Sequence, residues 1–244
     1  RIMNSDGWSA LAEARFVVDQ TPANADNLTI SKIHYRPTAA TEAEVSAGYS
    51  SRKDFEFVEL LNLGESTIDL LDVRFNKGIQ FRFQEADITS IEPGGHLFVV
   101  KNPDAFRMRY GEGLPMVGAF SGSLSNDGDL LKIVNGADEV LQELRYNDAE
   151  PWPAGTDGDG RFLVLKNTEK ALLDDAFQWR ASEEGEPLNQ TGPPPASELT
   201  YASWAASSFP AGFDSAPQSD PDADGSVNLL EFTFGSDPIS SQSK

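Results

Sequence analysis

The sequence predicts an all-β protein, a sandwich of short strands, with a short loop-and-helix segment at the C-terminus. Short apolar runs recur along residues 28–180, and clusters of Gly, Asn, Asp and Pro separate them. Strands and turns at such spacing are typical of sandwiches. The chain has 244 residues, of which 39% are hydrophobic, so it can bury a sizeable core.

The strands are predicted from their periodicity. Residues 28–35 alternate with period two until Arg36-Pro37 ends the pattern. Residues 38–54 are polar and rich in Ala, Ser and Glu, which indicates a loop. Residues 55–62 are apolar on both faces, as expected of a central strand. The other expected strands are 79–83, 96–101, 130–134, 140–146, 162–165 and 176–180, and residues 103–110 form the one brief helical pattern among them.

Composition excludes several classes of function. The formal charge is −20, from 39 acidic and 19 basic residues, and such a field repels nucleic acid and anionic lipid and attracts cations. The same charge also serves solubility alone. The chain has no cysteine, which excludes disulfides, thiol nucleophiles and zinc–thiolate sites. No apolar run reaches the roughly 18 residues of a membrane span, so we expect no membrane insertion.

Four segments are expected along the chain. Residues 1–22 are interpreted as the remnant of a preceding β module and a linker, and we expect the chain to be a piece of a longer protein. Residues 23–192 form the sandwich. Residues 193–218 are a Pro-rich spacer with a short helix at 199–209, and residues 219–244 hold a loop and a helix. Pro210, Gly212 and Pro217 prevent a long helix from entering that loop.

The most specific chemical signal is the twelve-residue stretch 220–231. It matches the calcium-loop pattern D-x-[DN]-x-[DN]-G-x5-E at every diagnostic position. Its spacing brings together the many oxygen ligands that a hard cation requires, and Gly225 permits the sharp turn. The predicted Ca²⁺ ligands are the carboxylates of Asp220, Asp222 and Asp224, the backbone carbonyl of Ser226, Asn228 directly or through water, and bidentate Glu231. Because a lone loop lacks the paired partner of a sensor, a structural ion is expected.

Other acidic and histidine positions carry weaker signals. Residues 157–160 and 126–129 are rich in Asp and Gly and are interpreted as turns, with a second ion at 157–160 as an alternative. The only histidines, His34 and His96, lie in strand patterns without an acidic residue at ligand spacing. Glu56 and Glu59 are three apart on a strand and are expected to face opposite sides, which disfavours a paired-carboxylate glycosidase.

The four tryptophans, at positions 8, 152, 179 and 204, are spread along the chain. Trp152 lies between Pro151 and Pro153, so an exposed aromatic platform for sugars stays open beside the commoner fate of core packing.

The middle region resembles the lamin-tail domain, an immunoglobulin-like β-sandwich. The motifs that carry the resemblance are residues 28–37, 56–62, 91–97 and 120–126 together with Trp152-Pro153, and they cover roughly residues 28–192. The resemblance implies a bacterial accessory module of a large secreted or surface protein. Residues 220–238 resemble dockerin or thrombospondin type 3 repeats, which implies a calcium loop and a following helix without a leading helix.

Together these features predict a non-catalytic, secreted or cell-surface module for adhesion or module interaction, with structural Ca²⁺. The expected partners are calcium and either other protein modules or a surface glycan, and no nucleic acid. The alternative function is a carbohydrate-binding accessory module of a polysaccharide-degrading enzyme. An enzymatic role is not expected, because the sequence contains neither a G-x-S-x-G elbow nor a phosphate-binding glycine loop.

Overall fold

The computed structural model describes residues 20–166, 173–188, 209, 214–223, 225–230 and 239, and the backbone of two short strands near the N-terminus. The chain forms two compact units, here called unit 1 (Arg1–Pro193) and unit 2 (Pro194–Lys244). Residues 199–208 of the predicted helix lie outside the described residues, as do most of residues 1–22.

Unit 1 consists mainly of short strands. They are β1 (Met3–Asn4), β2 (Gly7–Trp8), β3 (Thr21–Pro22), β4 (Leu28–His34), β5 (Phe57–Asn62), β6 (Ile68–Asp69), β7 (Arg74–Lys77), β8 (Ile79–Arg82), β9 (Ser90–Ile91), β10 (His96–Val100), β11 (Met116–Gly118), β12 (Ser121–Gly122), β13 (Asp129–Val134), β14 (Val140–Tyr146), β15 (Leu163–Leu165) and β16 (Trp179–Ala181). Two helices, α1 (Glu42–Ser46) and α2 (Pro103–Tyr110), and 3-10 turns at Arg52–Phe55, Phe83–Glu85 and Ala176–Gln178 accompany them.

Two large sheets dominate unit 1. The six-stranded sheet has the order β11-β10-β5-β4-β15-β16, and the five-stranded sheet has the order β12-β8-β7-β13-β14. A small sheet, β3-β6-β9, adds a third element, and β1 pairs with β2. Most neighbours are antiparallel, whereas β10–β11 and β3–β6 are parallel.

One hydrophobic core receives side chains from both large sheets. Ile30 and Leu60 of the six-stranded sheet are fully buried in it, as are Leu131 and Ile133 of the five-stranded sheet. Burying one such side chain stabilises the fold by about 1.5–3 kcal/mol. A core shared by two sheets is the arrangement of a β-sandwich, so the predicted all-β, sandwich-like class is confirmed.

The six-stranded sheet is also covered on its second face. Phe57 and Phe98 of the sheet meet Phe106 of α2 in a separate cluster, with the Phe57 ring centroid 5.4 Å from Phe98 and 5.7 Å from Phe106. Burial on both faces explains why β4 and β5 are buried at every position. The prediction of a central strand within 55–62 is therefore confirmed.

The five-stranded sheet buries only one face. In β8, Ile79 and Phe81 are buried while Gln80 and Arg82 are exposed. This alternation is the period-two pattern of a strand with one face in solvent. The outer face of this sheet is therefore accessible.

Two of the predicted turns depend on glycine. Gly78 joins β7 to β8 at φ +76°, and a Cβ there would lie 2.6 Å from the Leu131 Cδ2 atom. Gly128 precedes β13 at φ +101°, and a Cβ would lie 2.6 Å from the Tyr146 carbonyl oxygen. Both positions combine positive φ with a close approach, so no side chain fits without movement.

The expected loop at 38–54 is wrong in part, because it contains α1 and a 3-10 turn. Thr41 caps α1 in a capping box: its Oγ1 accepts from the Glu44 N–H, and the Glu44 carboxylate accepts from the Thr41 N–H at 2.7 Å. Arg109 of α2 then donates to both Glu44 oxygens, at 2.8 and 2.7 Å. The helix is thus stabilised by a contact 65 residues away in sequence.

Candidate functional site

The predicted calcium loop lies in unit 2, and four of its six predicted ligands belong to described residues. These are Asp220, Asp222, Ser226 and Asn228, whereas Asp224 and Glu231 lie outside the described residues. Residues 214–220 are not helical and contain a turn at 217–218, as the prolines and Gly212 predict. Residues 228–230, within the last third of the loop pattern, are helical.

The first half of the loop closes on itself. Asp220 accepts the Gly225 N–H on its Oδ2 atom at 3.0 Å, which links loop position 1 to position 6. Ala223 and Gly225 both have positive φ, at 58° and 94°. No other heavy atom lies within 4 Å of a Cβ built on Gly225, so the backbone conformation alone selects glycine there.

Asn228 connects the loop to the segment that precedes it. Its backbone N–H donates to the Ser219 carbonyl at 2.8 Å, and its Nδ2 donates to the carbonyls of Asp214 and Ala216 at 3.1 and 2.9 Å. The side chain is completely buried. Both carboxamide hydrogens of Asn228 therefore bind the preceding segment, and its Oδ1 atom has no hydrogen-bond donor among the described residues.

The incoming segment is ordered by its own hydrogen bonds. Asp214 accepts the Ala216 N–H at 3.1 Å and the Ser219 hydroxyl at 2.7 Å. The hydrogen bond from Ser219 lowers the pKa of Asp214 from its usual value. Asp214 thus acts as a turn-forming carboxylate ahead of the loop, outside the twelve-residue pattern.

Some side-chain oxygen atoms of the loop are buried without a hydrogen-bond donor among the described residues. They include Oδ1 of Asp220 and Oδ1 of Asn228, at loop positions 1 and 9. A buried acceptor without a donor costs about 1–3 kcal/mol, and more when the group is charged. A cation is the kind of partner that satisfies such oxygens, and carboxylate and amide oxygens are ligands that Ca²⁺ accepts. The residues present therefore fit the ion.

The described acidic residues alone do not form a complete metal site. Among them, no group of three or more His, Asp or Glu side chains is placed to hold a metal ion. The pattern predicts two further carboxylates, Asp224 and Glu231, which lie outside the described part. A complete calcium site at 220–231 accordingly stays a prediction.

The other acidic clusters lie where the chain changes direction: residues 157–160 are bends, and residues 126–127 form a turn. Asp157 forms an ion pair with the Arg36 guanidinium, so a positive charge of the protein itself compensates the Asp157 carboxylate. Asp127 accepts the Asn147 amide on its backbone carbonyl at 3.2 Å and helps to close the turn at 126–129.

Both histidines have partners that their sequence spacing did not indicate. The His34 Nδ1 atom lies 3.0 Å from the Tyr110 hydroxyl, and burial, followed by the Arg109 charge, lowers the pKa of His34 to about 3. The His96 Nδ1 atom lies 3.1 Å from the Glu59 carboxylate, although the geometry is not that of an aligned hydrogen bond. The absence of an acidic residue at ligand spacing thus did not reveal the acidic neighbour that His96 has in space.

Glu59 lies at the centre of a buried charge cluster that the sequence analysis missed. It accepts from the Lys32 ammonium at 2.9 Å and from the Ser31 hydroxyl at 2.7 Å, and Lys32 and Glu59 are directly opposite each other on β4 and β5. Their side chains are only 3% and 2% exposed. The sequence did contain a signal for this cluster, namely a lysine and a glutamate within two strands that are otherwise largely apolar. The enclosed charges suit a structural role in the sheet.

Glu56 occupies a different environment from Glu59. Its Oε2 accepts the Leu124 N–H at 2.9 Å, and burial raises the pKa of Glu56 to about 7, partly offset by that hydrogen bond and by Lys53 and Lys101. The two glutamates share no partner among the described residues, as expected for side chains on opposite faces. The described contacts therefore do not direct the two carboxylates toward a common partner.

Trp152 is buried, so the possibility of an exposed sugar platform there is wrong. It is 9% exposed, and its ring centroid lies 6.2 Å from that of Trp179 within the main core. The side chains of Trp8 and Trp204 lie outside the described residues. Among the described aromatic side chains, Phe177 is the large one that is most exposed, at 72%.

Comparisons with known proteins give no assignment. No protein-family model matches the chain, and no curated protein or solved structure is significantly similar to it. Within the described residues, no helix is long and apolar enough to span a bilayer.

Proposed function

We propose that this chain is a non-catalytic module of a secreted or cell-surface bacterial protein, used for adhesion or for contact with other modules. In this proposal, unit 1 is an immunoglobulin-like sandwich of the lamin-tail type, and unit 2 carries a structural Ca²⁺.

The observation that carries the proposal is the pair of buried oxygens on Asp220 and Asn228. Each lacks a donor among the described residues, and both occupy ligand positions of a twelve-residue calcium pattern. Unit 2 has few cations of its own, because residues 194–243 contain no lysine or arginine. A divalent cation supplies the positive charge that the protein does not.

The ion is assigned a structural role. The Asn228 amide already fixes the carbonyls of Asp214 and Ala216, so an ion on its Oδ1 atom holds the incoming segment and the loop together. Extracellular modules with such loops bind calcium with dissociation constants of about 10⁻⁴–10⁻³ M. At a hundredfold excess over that constant, binding stabilises the folded state by about 2.7 kcal/mol.

The test is calcium titration of the chelator-treated chain, followed by isothermal and differential scanning calorimetry. Wild type is expected to bind one Ca²⁺ in the submillimolar to millimolar range, with a higher thermal midpoint for unit 2. Glu231→Gln should raise the dissociation constant for Ca²⁺ at least tenfold and reduce the midpoint shift. Asp159→Asn, in the acidic segment 157–160, should change neither quantity. Absence of heat and of any midpoint shift at millimolar calcium contradicts the site.

The carbohydrate-accessory alternative has lost its residue-level basis at Trp152, because that side chain packs in the core.

A further inference from the structure

The outer face of the five-stranded sheet carries an unusual concentration of positive charge. On a chain with a formal charge of −20, Arg74 and Arg82 are directly opposite each other on β7 and β8, and Lys77 is opposite Lys132 of β13. Directly opposed like charges destabilise an antiparallel pair. One member of each pair is neutralised by the protein itself, Lys132 by Glu143 and Arg74 by Asp138, which leaves the charge of Arg82 without a compensating acidic partner among the described residues.

Protection of a sheet edge does not explain these charges. Edge strands are often guarded by lysine or arginine against pairing with other chains. However, β7 is the central strand of its sheet, and β8 is flanked by β12 on its other side. The arginine pair therefore lies inside the sheet, where no edge needs protection.

The two arginines differ in their own partners. Arg74 donates to the Asn135 carbonyl at 2.8 Å and pairs with Asp138. The Arg82 guanidinium is exposed and has no hydrogen-bond or ion-pair partner among the residues that the structure describes. Arg82 thus has a complete set of donors available for a ligand.

A polar cleft surrounds this pair. It has a volume of about 480 Å³, and its exposed lining includes Gln80 of β8 and Ser121 of β12 beside the two arginines. Sites for small ligands commonly have about 300–1,000 Å³. A smaller cleft also lined by Arg74 and Arg82 extends past Asp72 to Gly136. The guanidinium groups suit bidentate recognition of a carboxylate or sulfate, and the amide and hydroxyl suit sugar hydroxyls.

We propose that the Arg74–Arg82 cleft binds an anionic sugar residue, a uronate or a sulfated sugar, of a surface polysaccharide. A nucleic acid fits less well: Phe75 and Phe81 in the lining are buried in the core and offer no stacking surface, and Glu85 at the rim opposes a dense phosphate backbone. An acidic polysaccharide is a suitable ligand for the adhesive role proposed above, and the site rests on that role only for its biological meaning. The site is independent of the calcium proposal, because it lies in unit 1 and uses none of the calcium-loop residues.

The test is titration calorimetry of the full chain with an oligogalacturonate, a heparin-derived oligosaccharide, neutral cellohexaose and a short DNA duplex, at low and high NaCl. Arg82→Gln should weaken binding of the acidic sugar about tenfold, the loss expected for one bidentate charge-assisted contact. Arg82→Lys should retain part of the affinity, because it keeps the charge without the planar fork. Tighter binding of the oligogalacturonate identifies a uronate as the ligand, and tighter binding of the heparin-derived oligosaccharide identifies a sulfated sugar.

The matched control is Arg107→Gln, which removes the same charge from α2, a helix packed on the six-stranded sheet. Its affinity should equal that of wild type. The thermal midpoint of Arg82→Gln should be unchanged or higher, because the substitution relieves the Arg74–Arg82 repulsion. Such a midpoint shows that a loss of affinity is not caused by a loss of folding. Glu231→Gln should bind the acidic sugar normally, which separates this site from the calcium loop.

Three results overturn the proposal: no binding of either acidic probe at low salt, equal loss in Arg82→Gln and Arg107→Gln, or duplex DNA binding as tightly as the oligogalacturonate. The last result would identify a general polyanion surface.

Discussion

The two units differ in the charged partners that are available to their buried oxygen atoms. In unit 1, the Glu59 carboxylate receives the Lys32 ammonium and the Ser31 hydroxyl, and the Glu44 carboxylate receives Arg109. In unit 2, the Asp220 and Asn228 oxygens are buried without a donor among the described residues. Unit 1 also has acceptors without a donor among the described residues, Oε1 of Glu56 and Oδ1 of Asn76, but the cationic Lys53 and Lys101 act on Glu56. Residues 194–243, by contrast, contain no lysine or arginine, so the two regions differ in the cations that the chain itself supplies.

The largest expected effect tests how far unit 1 depends on packing alone. Leu60→Ala removes a fully buried side chain from the core between the sheets and should destabilise unit 1 by about 2–5 kcal/mol. Urea unfolding followed by near-ultraviolet circular dichroism measures the loss, which should be the same with calcium or with chelator. Val140→Thr, at an exposed position, is the control and should stay near the wild-type midpoint.

Lys32→Met tests the internal compensation of charge. The change leaves the buried Glu59 carboxylate without its ammonium partner and should cost about 3 kcal/mol by denaturant unfolding. The double variant Lys32→Met/Glu59→Gln removes the remaining charge and should recover much of that loss. A double variant as unstable as the sum of two single variants would show that the pair is not coupled.

Glu56 predicts a pH dependence within unit 1. Its pKa is raised to about 7 in the folded state, so the folded state binds the proton more tightly than the unfolded chain does. This contribution to stability is complete at acid pH and is lost as the pH rises from about 4.5 through 7. Relative to Glu56→Gln, wild type should therefore lose roughly 2–3 kcal/mol between pH 5 and 8. Glu65→Gln, at an exposed position, should follow wild type, and parallel curves for all three proteins contradict the shift.

The smallest expected effect changes sign with calcium. Without the ion, Asp220→Asn should raise the stability of unit 2 by about 0.5 kcal/mol, because it removes one of several clustered negative charges while its amide oxygen still accepts from Gly225. With calcium, the same variant should be less stable than wild type. Calorimetric scans in chelator and in millimolar calcium measure both arms. A change of the same sign in both would separate Asp220 from the ion.

The strands of the sandwich were largely predictable, because they are short apolar or alternating runs bounded by turn residues. Strands β4, β5, β10 and β14 fall within the predicted ranges. The polar strand β7 was missed, because Arg74, Asn76 and Lys77 conceal its pattern. Helix α1 was missed although its capping box was visible, since five residues are too few for a helical period.

Site geometry was less predictable, because it depends on contacts between distant residues. The Glu59 neighbour of His96 comes from a different strand, 37 positions earlier in sequence, which no spacing rule includes. Trp152 appeared exposed from its flanking prolines and is covered by Trp179. The acidic loop differs, because twelve consecutive residues contain its complete predicted ligand set.

The asymmetric covering of the two sheets has a consequence for how this module can diversify. Helix α2 and its aromatic neighbours occupy the second side of the six-stranded sheet, so sequence change there disturbs packing. The open side of β7, β8 and β12 has no such constraint. Substitutions at exposed positions there, such as Gln80 and Arg82, are therefore expected to leave the scaffold beneath unchanged.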